Sequence, residues 1–97
     1  MRTLTHGDLV AAACAVRLLP REEWRTTARR FLERAHAADL FRKRTGRNHP
    51  FWGNGSLSGA IPPGERQISE PFLSDPRYLE AMASVFEVLL DWRRREV

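Results

Sequence analysis

The chain is poor in the residues that carry most recognisable chemistry. Its one cysteine, Cys14, excludes an intrachain disulfide, and the setting among Ala13, Ala15 and Val16 is that of a small buried apolar residue. A nucleophilic thiol would need a basic, polar neighbourhood that is not visible nearby. The three histidines, His6, His36 and His49, have no ligand partners at metal-site spacing. His36 and Asp39, three apart on one helical face, read as solvated surface. No apolar run approaches the roughly 20 residues that cross a bilayer. Asp8 precedes the first apolar segment, which is not the build of a cleavable signal, so the expectation is a cytoplasmic protein.

Catalytic patterns are equally scarce. "GNGSLSG" has glycines ahead of a helix start but lacks a P-loop ending and a preceding strand, so it reads as a turn in which Asn54 tolerates positive φ and Ser56 caps a short helix. Ser56 and Ser58 lie near His49 without a nucleophile elbow or a triad order. Glu22 and Glu23 are explained by a helix start, and Glu65 and Glu70 flank a loop. The expectation is a non-enzymatic protein with no cofactor and no metal.

What is there is arginine, turn residues and helical periodicity. The 97 residues suit one domain, which at this size hides about 60–68% of its unfolded surface. The formal charge is +4, and Lys43 is the only lysine among 16 basic residues. That charge points to an anionic partner, nucleic acid or an acidic protein surface, although a GC-rich genome also raises arginine.

Thr5 and Asp8 resemble a capping box with Asp in place of the usual Glu, and Leu9, Val10, Ala12, Ala13, Val16 and Leu19 follow at helical spacing, predicting a first helix from about His6 to Leu19. Pro20 stops it and opens a second, amphipathic helix through Trp24, Ala28, Phe31, Leu32, Ala35 and Ala38 that ends at Gly46. Residues 47 to 74 hold four prolines and four glycines with a short helical possibility from Ser56 to Ile61. Phe51, Trp52, Leu57, Ile61, Ile68, Phe72 and Leu73 favour an ordered connection that packs as a unit. Asp75 and Pro76 then start a last helix. The fold class expected is all-α, a small bundle of three main helices with a long ordered Gly/Pro-rich connection containing a short helix.

Two surfaces stand out. Arg42, Lys43, Arg44 and Arg47 cluster beside His49, Phe51 and Trp52, a pattern that could hold a nucleic-acid backbone and stack a base. The competing reading gives the cations to the helix dipole and makes Trp52 a plug that anchors the corner to the core. Arg93, Arg94 and Arg95 form a second basic patch, while Arg25, Arg29 and Arg34 either extend the first or serve local ion pairs. The last helix is apolar nearly all round, with Leu79, Phe86 and Leu90 on one side and Tyr78, Val85, Leu89 and Trp92 on another. Such a helix should be buried all round, which implies a homo-oligomer or a helical protein partner. Phe51, Trp52, Tyr78, Phe86, Leu90 and Trp92 are the candidate partner-binding residues.

Through "THGDLVAAA", "TGRNHPFWGNGSL" and "EPFLSDPRYLEAMASVFEVLL" the chain resembles a family of short, uncharacterised alphaproteobacterial helical proteins. As a small, basic, helical chain it is also similar to the small terminase subunits that package DNA in phage-like gene transfer agents. That resemblance implies an oligomer that hands DNA to a motor protein. Leu18, Leu19 and Pro20 join two helices without the glycine turn of many helix-turn-helix motifs, which implies that DNA binding is weak or delegated to an assembled ring. The reading apart from nucleic acid is a protein–protein regulator.

Overall fold

Local chemistry sets most helix ends. The computed structural model describes residues 3–62 and 73–95. In α1 (His6–Arg17), Thr5 and Asp8 make the reciprocal capping box, with the Thr5 N–H donating to Asp8 Oδ2 at 3.0 Å. The helix stops two residues short of Leu19. Pro20 does not open the second helix directly, because a 3₁₀ turn (Arg21–Glu23) intervenes before α2 (Trp24–Thr45). Gly46 closes α2 in the left-handed conformation at φ 73°. Ser56 caps the single turn α3 (Leu57–Ala60) by accepting the Gly59 N–H at 3.1 Å. In α4 (Pro76–Arg95) the Asp75 side chain accepts the Arg77 N–H at 3.0 Å.

Among the described residues no strand forms, and the architecture is all-α as expected. Ile68, Phe72, Glu65 and Glu70 lie outside the described residues. No described helix is long and apolar enough to cross a membrane.

Ion pairs report the helix directions. Arg21 meets Glu80 at 2.8 Å, Arg25 meets Glu87, and Arg29 meets Asp91 at 3.5 Å. Both partners advance together along the chain, so α2 and α4 run parallel. Exposed pairs of this kind contribute about 0–1 kcal/mol each, so they set register more than stability. At the opposite sense, α1 ends where α4 begins: Arg17 pairs with Asp75 at 3.1 Å, and Arg77 donates to the Arg17 carbonyl at 2.9 Å and the Leu19 carbonyl at 2.7 Å. Trp24 seals this end, donating from Nε1 to the Leu19 carbonyl at 2.9 Å with the Arg77 guanidinium 5.1 Å from its ring.

The core is built largely from small residues. Ala12, Ala13, Ala15, Ala28 and Ala81 let the helices approach closely around Phe31, Leu32, Val16 and Tyr78. Leu57 and Ile61, delivered by α3, fill the space at the other end. That corrects one expectation: Trp52 is only half-buried and stands outside this core, because the aliphatic pair has already plugged the corner. Tyr78 is corrected as well. It is 0% exposed, a core residue rather than a partner contact. Nor is α4 buried all round. Tyr78, Ala81, Val85 and Val88 face inward while Leu79, Phe86 and Leu90 face solvent.

Candidate nucleic-acid interface

The second half of α2 carries the basic cluster past the point where α4 ends. Since Arg29 pairs with Asp91, Arg95 lies level with about Glu33, and Arg42 is about two and a half turns further along the same direction. Arg93, Arg94 and Arg95 therefore point towards the same end of the bundle as Arg42, Lys43, Arg44 and Arg47 but stop short of them along its axis. Six of the seven are exposed and Arg42 is half-buried.

Not all of that charge is at liberty. Lys43 pairs with Asp39 at 3.0 Å, and Asp39 is only 5% exposed. The Lys43 ammonium is the leading cause that holds the Asp39 carboxyl below the usual carboxylate range. Arg95 pairs with Asp91 at 3.2 Å. Arg25 and Arg29 do not extend the basic surface as free cations, because Glu87, Glu33 and Asp91 meet them. Of the seven, Arg42, Arg44, Arg47 and Arg94 make no ion pair among the described residues.

Beside the cluster stands a set of stacked rings. The chain reverses between His49 and Gly53, where the His49 N–H donates to the Gly53 carbonyl at 2.8 Å and the Gly53 N–H returns to His49 at 3.2 Å. His49 Nδ1 accepts the N–H groups of Phe51 and Trp52, both at 3.1 Å, which puts the imidazole proton on Nε2. Its ring lies flat on Trp52, centroids 4.5 Å apart at 6°, with Phe41 edge-on at 5.1 Å. Arg34 approaches the Trp52 ring at 6.0 Å, and Phe51 projects into solvent, 83% exposed. Trp92 takes no part. It is half-buried and meets His36 edge-on at 5.9 Å.

The glycines, not Asn54, supply the positive φ in this loop, at 77° for Gly53 and 96° for Gly55. Asn54 instead accepts the Ser56 N–H on its side-chain oxygen at 3.0 Å. A Cβ on Gly55 would stand 2.9 Å from Asp39 Cα, so the loop backbone lies directly on α2. Asp39 thus works as a packing point, where periodicity had suggested solvated surface.

Sequence reasoning missed the link that fixes α3. Ser58 donates both its N–H, at 3.1 Å, and its hydroxyl to Asp8 Oδ1. Burial pushes the Asp8 carboxyl up, but the hydrogen bonds from Ser58 and Thr5 outweigh it and leave the pKa lowered. No local pattern could have announced a contact across fifty residues. Ser56 and Ser58 are both engaged in holding α3, and among the described residues no group of three or more His, Cys, Asp or Glu gathers as a metal site.

Residues 2–89 match a domain of unknown function, DUF7742. The chain belongs to that family. No curated protein and no solved structure matches it. The DUF7742 match takes in the capping box, the first basic cluster, the His49 loop and most of α4, and it stops before Trp92 and the second cluster. Membership in an uncharacterised family agrees with that much of the first resemblance read from the sequence.

Proposed function

We propose that this protein is a non-enzymatic assembly or adaptor protein that binds nucleic acid electrostatically at the basic end of the bundle and a protein partner on the outer face of α4. One observation carries the reading: Arg42, Arg44 and Arg47 stand beside exposed Phe51 and the Trp52 ring, and the parallel register of α2 and α4 directs the second arginine cluster towards the same end of the bundle. Arg42, Arg44 and Arg47 supply phosphate contacts, Arg94 with its neighbours supplies a second patch, and Phe51 offers a ring to an unpaired base. Arginine's planar fork suits phosphate oxygens at such a surface. The finer role, in keeping with the resemblance to small terminase subunits, is DNA handling in a phage-like packaging system, in the cytoplasm of a bacterium. Catalysis has no part in this reading, since Ser56 caps α3, Ser58 donates to Asp8, and His49 Nδ1 is taken by two backbone N–H groups.

Fluorescence anisotropy with short labelled DNA and RNA at several salt concentrations tests it. Binding that weakens steeply with salt supports the proposal, and each phosphate contact contributes about 0.9 to the logarithmic slope on duplex DNA. No binding at low salt sinks it. The second reading, a protein–protein regulator without nucleic acid, is favoured by the exposed apolar stripe on α4 and by Phe51. A pull-down that recovers an acidic or helical protein, from a chain that binds neither DNA nor RNA, would select it.

A further inference from the structure

We propose that the outer face of α4 is a homodimer interface, with a second copy of this chain lying antiparallel on it about a twofold axis. The proposal rests on the reading that α4 meets a protein, and it names that protein.

Two apolar seams run along α4. The inner one, Tyr78, Ala81, Val85 and Val88, is spaced three, four, three and is buried in the bundle. The outer one, Leu79, Ala83, Phe86 and Leu90, is spaced four, three, four, the repeat that packs knobs into holes against another helix. Its large members are half open to solvent: Leu79 47%, Phe86 45% and Leu90 54%. A single-copy bundle has no need of the second seam.

The order of side chains along the stripe is self-complementary in one direction only. A twofold axis between residues 84 and 85 sets Leu79 against the partner's Leu90 and Phe86 against the partner's Ala83. The bulkiest residue then meets the smallest, twice, as an isologous interface requires. Charge selects the same direction. A parallel pair would bring Arg93, Arg94 and Arg95 of both copies together, whereas the antiparallel pair keeps the two arginine clusters at opposite ends of the seam and opposes the helix dipoles favourably. On one flank Glu80 comes near the partner's Glu87, and both positions are already neutralised within each copy by Arg21 and Arg25. The rim is polar, as expected around an apolar seam.

The three large residues offer roughly 300 Å² of apolar surface per copy, well below the roughly 800 Å² per partner of a standard stable interface. The dimer is therefore reversible on dilution.

Light scattering of the full chain across a dilution series tests the proposal, the expected mass rising with concentration from 11.2 kDa towards twice that value. Phe86→Arg should hold the mass at one chain at every concentration with an unchanged circular dichroism spectrum. Under mild oxidation the double variant L79C/L90C should form a covalent dimer that neither single variant forms, because Leu79 and the partner's Leu79 stand roughly 16 Å apart along the seam. Cys14 is buried and does not interfere. A one-chain mass throughout the series, or crosslinking by Leu79→Cys alone, would overturn the antiparallel dimer. Anisotropy on the same samples separates the two proposals: a monomer that still binds DNA with a steep salt slope defeats the dimer and leaves nucleic-acid binding standing, while a dimer that binds no DNA does the reverse.

Discussion

Ser58 donates its hydroxyl and its backbone N–H to one oxygen of Asp8, while the other Asp8 oxygen accepts from Thr5 at 3.0 and 3.2 Å. One carboxylate thus starts α1 and holds α3 against it. Asp8→Asn keeps the shape but replaces an acceptor oxygen by a donor, leaving part-buried N–H and O–H groups opposed. It should cost about 2–3 kcal/mol, against about 1 kcal/mol for Ser58→Ala, which removes one donor and leaves the capping box. Urea unfolding of the two variants gives the order, and a larger loss in Ser58→Ala would contradict it.

The same carboxylate makes stability depend on acid. Both Asp8 and Asp39 have folded-state pKa values lowered from 3.8, Asp8 because Ser58 and Thr5 outweigh burial, Asp39 chiefly because of Lys43. A group depressed on folding contributes stability that is fully present above its unfolded pKa and is lost as pH falls through the folded one. Unfolding free energy should therefore fall steeply below about pH 4. In Asp8→Asn the fall should be shallower, as followed by urea midpoints on a pH series.

Two glycines with positive φ should respond differently to a methyl group. At Gly55, φ is 96° and a Cβ would meet Asp39 Cα and Cβ at 2.9 Å, so strain and backbone clash combine. At Gly46, φ is 73° and nothing lies within 4 Å. Gly46→Ala should cost about 1 kcal/mol and Gly55→Ala about 2–4 kcal/mol. Thermal unfolding resolves a difference of that size in so small a protein.

The helix starts at Thr5, Ser56 and Asp75 and the stop at Gly46 were legible because capping is chemistry between residues two to four apart. The start of α2 was less so: Pro20 admits either a helix or a 3₁₀ turn, and only the seating of Trp24 under Arg77 and on the Leu19 carbonyl decides. Neither could periodicity choose the buried side of α4, where two seams compete. The inner one wins with Ala81 and Val85, which fit the close approach that alanines on α1 and α2 allow, and the ion pairs from Arg21, Arg25 and Arg29 hold that rotation. Trp52 was misread because an aromatic beside a turn looks like a plug, while the space had gone to Leu57 and Ile61, smaller residues further along the chain. The basic residues of the candidate site were legible as a cluster, but their division into paired and unpaired cations depends on Asp39 and Asp91, which composition cannot assign.

That division yields the sharpest test of the basic end. Lys43 and Arg44 are neighbours in sequence, both exposed, and equal in charge, yet only Lys43 is bound to the nearly buried Asp39. Lys43→Ala should lower stability by about 1 kcal/mol, since it removes the leading favourable partner of that carboxylate, and should leave the salt slope of DNA binding nearly unchanged. Arg44→Ala together with Arg47→Ala should do the opposite: the unfolding midpoint stays put, and the logarithmic salt slope loses about 1.8, two phosphate contacts' worth. If both variants shift the slope alike, the ion pair to Asp39 opens on binding and Lys43 joins the interface. If neither does, the phosphate contacts lie elsewhere, and Arg93, Arg94 and Arg95 become the residues to remove.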